Sequence, residues 1–176
     1  MQELREPGTV TLHDGRKVVV RDIAPGDCSA VSAMVIDNFR HAGNFDRLDD
    51  AARRAYVQAN SIEGVREASA HPDNIACLVA VDVDTGSIGG YRLVRRGVHR
   101  LDGHAVAEGK RLHVARSFTG QGLGTALVDF SAQIARRCGY PRMTAQASGN
   151  SRQFFEKLGF HCVLEQAQND VLKQRS

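Results

Sequence analysis

Apolar residues recur along the chain with two different periods, and the period changes where turn-forming residues cluster. Val10-Thr11-Leu12 and Val18-Val19-Val20-Arg21 flank His13-Asp14-Gly15, whose Asp-Gly pair favours a tight turn, so an amino-terminal hairpin is predicted over 9–23. Pro25-Gly26-Asp27 then signals a helix start with Asp27 as its cap, and Val31, Met34, Val35 and Phe39 follow at helical spacing. A second helical stretch, 46–60, carries Leu48, Ala51, Ala52, Ala55, Tyr56 and Ala59 on one side. Ser61 caps a short third helix reaching residue 70, and His71-Pro72-Asp73-Asn74 breaks it.

The period then shortens. Residues 75–82 and 87–94 are β-rich runs joined by Asp84-Thr85-Gly86, a second hairpin, and 96–106 reads as a loop or flap. A strand over 107–114 leads into a glycine-rich turn at 119–124, then a helix whose Leu123, Leu127, Phe130 and Ile134 fall on one face and which Gly139 ends. Residues 143–147 form the next strand, 150–158 a short helix bearing Phe154 and Phe155, and 160–165 a further strand. The order is mixed, an α+β chain with a strand, glycine turn, helix and strand unit at its centre.

Composition narrows the function classes. With 176 residues, 42% apolar and 24% charged, the chain reads as one domain, 1–176, large enough for a full core. Lys and Arg number 23 against 20 Asp and Glu, a net charge of +3 without a basic stripe, so no nucleic-acid partner is expected. The longest apolar run, 75–81, is far short of the roughly 20 residues that span a bilayer, and the amino terminus lacks the basic start and apolar stretch of a signal peptide. No membrane partner and a cytoplasmic location are expected. Cys28, Cys77, Cys138 and Cys162 are too dispersed for a zinc site or a redox pair, the seven histidines are likewise scattered, and no metal is expected.

The chemistry sits in the glycine turn. Gly120, Gly122 and Gly124 alternate between a strand and the first turn of an amphipathic helix. Glycines let the main chain approach a ligand closely, and the unpaired N–H groups and positive dipole end of a helix start suit phosphate oxygens. A nucleotide-hydrolysing loop needs Lys after its last glycine, and here Thr125 follows Gly124. A dinucleotide fingerprint needs wider glycine spacing and an acid at the end of the next strand, which 142–147 lacks. Coenzyme A is the remaining familiar pyrophosphate carrier read by such a turn.

At these residues the chain resembles the GNAT superfamily of acyl-CoA-dependent N-acetyltransferases. The family's central motif is Gln or Arg, two variable residues, Gly, one variable residue, then Gly or Ala, after a strand ending Leu-x-Val. Here Leu112-His113-Val114 precede Thr119-Gly120-Gln121-Gly122-Leu123-Gly124. Phe154-Phe155-Glu156-Lys157-Leu158-Gly159-Phe160 is similar to the family's second signature, and weaker likenesses begin at Val19 and at Ser87, so the resemblance spans about 18–165. It implies a mostly antiparallel twisted sheet with splayed central strands, helices on both faces, and an acyl-CoA-binding core at about 107–165. Two positions depart from the pattern. Thr119 stands where the family has Arg or Gln, and Phe155 where many members have a Tyr that protonates the departing thiolate.

The resemblance further implies acetyl transfer from acetyl-CoA to a primary amine of a small molecule or peptide, by direct attack in a ternary complex. Glu108, six positions before Val114, is the implied base, with His113 as the second candidate because an ordinary imidazole titrates near 6.5. Cofactor contacts are implied at Leu112, Val114, Thr119, Gly120, Gln121, Gly122, Leu123, Gly124, Thr125, Asn150 and Phe155, with Ser148 and Tyr140 as other groups near the thiolate. The segments 39–70 and 96–106 are expected to cover the acceptor, and a homodimer is compatible with the family. The rival readings are a non-catalytic acyl-CoA-binding or sensing module and an interaction protein with a fortuitous glycine turn.

Overall fold

The Asp14-Gly15 turn closes a hairpin: β1 (Gly8–Thr11) pairs antiparallel with β2 (Lys17–Asp22), and Gly15 adopts a φ of 86°. A computed structural model describes residues 8–43, 45–101, 103–147, 149–163 and 172–175. The later strands are β3 (Asn74–Asp82), β4 (Ile88–Leu101), β5 (His104–Val114), β6 (Arg142–Gln146), β7 (Phe160–Val163) and β8 (Leu172–Arg175). With the hairpin they form a single sheet in the order β1-β2-β3-β4-β5-β6-β8-β7. Every neighbouring pair is antiparallel except β5 with β6.

The helices are α1 (Cys28–His41), α2 (Asp50–Ala59), α3 (Ile62–Ser69), α4 (Leu123–Arg137) and α5 (Gly149–Lys157). Asp49 and Ser61 cap α2 and α3 by accepting from the N–H groups of Ala52 (2.8 Å) and Gly64 (3.1 Å). Asp27 precedes α1 without capping it. Its carboxylate turns back to the Ala24 N–H (2.7 Å) and takes both ends of the Arg21 fork, at 2.7 and 3.0 Å. Arg21 therefore holds the Asp27 carboxyl below its ordinary value.

Both faces of the sheet are covered, which explains the unbroken apolar run in β3: a strand buried on both sides has no polar face to alternate with. Ala76, Leu78 and Ala80 pack with Leu123, Leu127 and Val128 of α4, whereas Cys77 and Val79 pack with Val31 and Val35 of α1 and Val65 of α3. Each fully buried aliphatic side chain of this kind contributes about 1.5–3 kcal/mol. Burial also pushes the Cys77 thiol up to about 12.

Two elements differ from the sequence expectation. The 96–106 segment continues the ladder, with Arg100 opposite Ala105 and Leu101 opposite His104. This outer part of the hairpin is largely exposed, as Val98 shows at 87%, so it carried no alternation to read. β8 was not anticipated either. Leu-Lys-Gln-Arg has no apolar period, yet the strand lies between β6 and β7.

The centre of the sheet opens. β5 and β6 pair from Val106 with Arg142 to Gly109 with Ala145, and there the ladder stops, although β5 runs on to Val114. Val94 faces Gly109 but Leu93 faces Arg111, so Lys110 is the extra residue of a β-bulge. Such a bulge bends its strand and steepens its twist. Residues 110–114 thus present about 16 Å of strand edge without a β6 partner. Arg92, only 1% exposed, crosses beneath and donates to the Arg111 carbonyl (3.3 Å), Ser131 Oγ (3.3 Å) and Met143 Sδ (3.5 Å). A Cβ on Gly109 would lie 2.5 Å from Arg92 Nη2, so a side chain there would displace the buried guanidinium from its hydrogen bonds.

Candidate active site

The glycine turn follows a short 3₁₀ turn at Arg116–Phe118 and delivers the chain into α4. Gly120 and Gly122 have φ of 78° and 84°, the left-handed region where other residues are strained. A Cβ on Gly120 would meet open space. Gly122 is the N-cap residue of α4, with no side-chain cap and no acid in the first turn, so the first N–H groups of the helix have no side-chain acceptor. Those free donors and the dipole end form an anion cradle. Thr119 Oγ1 turns back to its own loop, at 3.4 Å from the Ala115 carbonyl, and offers no long cationic arm.

The amino-terminal hairpin braces this turn. The His13 N–H donates to the Gln121 carbonyl (3.2 Å), Arg16 Nη2 to the Ser117 carbonyl (2.7 Å), and the Arg16 guanidinium lies 4.0 Å from the Phe118 ring centroid. The His13 ring also sits against Gly122, with Nε2 2.9 Å from where a Cβ would be. This brace was not foreseen from the sequence.

Beside the cradle, Leu112 and Val114 pack toward α4, while Glu108, Arg111 and His113 stand opposite Arg95, Leu93 and Tyr91 on the α1–α3 face. Asn38 Nδ2 of α1 donates to the Val114 carbonyl (2.9 Å) and ties that face down. Glu108 is 27% exposed and pairs through Oε1 with Lys110 Nζ at 2.5 Å. His113 is largely enclosed by protein. Burial, with the Arg111 charge adding to it, pulls its pKa down from 6.5 to about 4, so the ring is neutral at neutral pH.

A cavity of about 350 Å³ lies on this face between α2–α3 and the β4–β5 ladder, lined by Gln58, Ala59, Glu63, Glu67, Arg95 and Arg111 among others. Sequence reasoning placed 39–70 over the acceptor but singled out neither arginine. Arg95 adjoins Arg96 and Arg111 adjoins Lys110 in strands that carry several other charged residues, so neither stands out in the sequence.

The remaining candidates are dispersed. Phe155 is 5% exposed and packs edge-on against Phe154 (5.1 Å) and Phe160 (5.2 Å). Tyr140 precedes β6 at its paired end, away from the opening, and packs on the core. Asn150 is the second residue of α5, Thr125 lies in the first turn of α4, and Ser148 falls outside the described residues. Among the described residues no three His, Cys, Asp or Glu side chains gather as a metal site requires, and no helix is long and apolar enough to cross a membrane.

No curated protein sequence matches the chain. Solved structures share its fold. PaiA N-acetyltransferase from Thermoplasma acidophilum, in complex with coenzyme A, has a TM-score of 0.69 at 15% identity, over 90% of this chain and 98% of that one. A GNAT-family acetyltransferase from Listeria monocytogenes has a TM-score of 0.69 at 17% identity, over 96% and 99%. An acetyltransferase from Trypanosoma brucei has a TM-score of 0.59 at 25% identity, over 87% and 99%. Residues 45–160, about two thirds of the sequence and including both the opened strand pair and the glycine turn, match the family described as the acetyltransferase (GNAT) family, and the chain belongs to it.

Proposed function

We propose that this protein transfers an acetyl group from acetyl-CoA to a primary amine of a small molecule or peptide, by direct attack while both are bound. The observation that carries this reading is the juxtaposition of an uncapped glycine turn with an unzipped strand edge, an anion cradle next to a slot for an extended arm. The residues fit the group: Gly120 leaves space where any side chain would intrude, and the first N–H groups of α4 suit a pyrophosphate. Acetyl-CoA, when bound, supplies the thioester carbonyl.

In this reading the N–H groups of Gly122, Leu123, Gly124 and Thr125 hold the pyrophosphate, with Thr119, Gly120 and Gln121 forming the approach. The free edge of β5 orients the arm, and a backbone N–H at Leu112 or His113 donates to the carbonyl oxygen. Glu108 takes the ammonium proton through water, the free amine attacks the thioester carbonyl, and as the C–S bond breaks the sulfur leaves as a thiolate protonated by water. Glu108 Oε1 is engaged by Lys110, which leaves Oε2, and the partial exposure of the side chain lets a water chain carry the proton away. His113 is the poorer base, because protonating it would place a second cation beside Arg111 in an enclosed site.

The test is thiol release from acetyl-CoA across an amine panel, in the wild type and in Gly120→Asn and Gly120→Asp. Asn and Asp both tolerate a positive φ, so the pair differs in charge alone. Turnover in the wild type, with acetyl-CoA affinity at least about tenfold weaker in Gly120→Asp than in Gly120→Asn, is expected. Acetyl-CoA binding without release for any amine would leave the non-catalytic module standing, and equal affinities in the two variants would move the phosphates elsewhere.

A further inference from the structure

The acceptor face holds two half-buried guanidinium groups whose hydrogen bonds go to neutral oxygens alone, while the two acids that also line the cavity, Glu63 and Glu67, are exposed on α3 and Glu63 is paired with Arg66. Arg111 gives Nη2 to the carbonyl of Ala59, the last residue of α2, at 3.2 Å. Its Nη1 is buried and has no partner. Its charge acts on Tyr56, Cys77, Tyr91 and His113, none of them an anion at neutral pH. Arg95 is held by neutral oxygens only, Asn74 Oδ1 at 3.0 Å and the Ala68 carbonyl at 3.2 Å. Both arginines line the same cavity of about 350 Å³.

A cation taken out of water without a counter-ion is unfavourable, and an arriving anion would relieve that cost. The carboxylate nearest in the strand, Glu108, is already paired with Lys110. Because Lys110 is absorbed by the bulge, Glu108 and Arg111 are two regular strand steps apart on one face, about 7 Å. That face therefore presents an acid for an ammonium group and, a short distance along, a half-empty guanidinium fork.

Building on the acetyltransferase reading, we propose that Arg111, assisted by Arg95, binds an anionic group on the acceptor, so that the substrate is a compact amine bearing a carboxylate or phosphate. Polyamines bear no anion for the two arginines and are expected to be the poorer acceptors. A carboxylate or phosphate in the cavity would gain the planar recognition that guanidinium groups make best, once the Arg111 fork turns its covered Nη1 toward it.

The experiment uses the full chain with acetyl-CoA and matched acceptors: β-alanine against β-alaninamide, 2-aminoethyl phosphate against ethanolamine, and spermidine. Thiol release is one readout. Calorimetric binding of each acceptor to the CoA-loaded protein is the other, and it stands whether or not turnover occurs. At least one anionic member is expected to exceed its neutral partner about tenfold or more in kcat/KM and in affinity. Arg111→Gln should bring that ratio within about twofold of unity, Arg111→Lys should restore part of it, and CoA affinity should be unchanged in both. If Arg111→Gln does not fold, Arg95→Gln is expected to reduce the ratio in the same direction. Neutral amines or spermidine equalling the anionic members, or a ratio that survives Arg111→Gln, overturns the proposal. Anionic acceptors that bind through Arg111 but release no thiol would uphold this inference while refuting the acetyltransferase reading.

Discussion

Replacing His113 with Gln should remove a proton-linked instability that the wild type carries below neutral pH. The imidazole faces Tyr91 across the strand pair and lies within reach of the Arg111 charge, so burial and then like-charge repulsion lower its pKa from 6.5 to about 4. As pH falls through 6.5 the unfolded chain takes up a proton there, while the folded chain does not until about pH 4. The unfolded state binds more protons across that window, so stability falls as the solution is acidified. At 1.36 kcal/mol per tenfold in proton affinity, the loss is about 3 kcal/mol, complete by pH 4. For a chain of this size that is about 6–12 °C in Tm. The depressed carboxyls of Asp14, Asp27 and Asp82 also lose stabilisation, but at lower pH and equally in both proteins. Thermal melts of wild type and His113→Gln from pH 7.5 to 4.0 isolate the histidine: the Tm of the variant relative to wild type should rise by about 6–12 °C over the range. Parallel curves would mean that His113 titrates as it does in water and that the acceptor face is open to solvent.

Glu108→Gln is expected to lower kcat/KM about 10²- to 10⁴-fold at neutral pH, with partial recovery as rising pH deprotonates the amine in solution and with unchanged CoA affinity; undiminished steady-state activity would assign the proton to water alone. Phe155→Tyr is expected to raise kcat several-fold where thiolate departure limits turnover, with little change in Tm. Since the ring is 5% exposed between Phe154 and Phe160, a loss of about 1–3 kcal/mol in stability without a gain in kcat would show that the hydroxyl is trapped in the core and that the position does not serve the reaction.

Much of the fold was legible because its elements obey local rules. The Asp-Gly turn and the glycines at 120 and 122 act through their own backbone and the Ser61 cap through its own hydroxyl, and the structure shows the left-handed turns and the cap in place. The outer β4–β5 hairpin and β8 were not legible, because neither has an apolar face and each is specified by its pairing partner. The site was hidden at one point in particular. Strict alternation back from Val114 puts Glu108 on the side of Leu112, yet the bulge turns it to the side of Arg111 and His113. The pairing of β4 with β5 decides that, and it involves residues far apart in sequence. The arginine-lined cavity was concealed for the same reason, since α2, α3, β4 and β5 meet only in the folded chain.

The bulge also separates shape from composition. The opening between β5 and β6 is written as a count of residues, one more on β5 than on β4 between two fixed pairs, and any side chain at position 110 leaves that count intact. Substituting Lys110 should therefore preserve the slot and change only the partner of Glu108. Deleting it is expected to keep Glu108, Arg111 and His113 on one face while letting β5 straighten and zip further onto β6, so the protein would retain every candidate residue and lose the slot proposed for the acyl donor. For a chain built this way, insertions and deletions at one site bear on function more than most substitutions, and sequence comparison by residue identity alone would not register the difference.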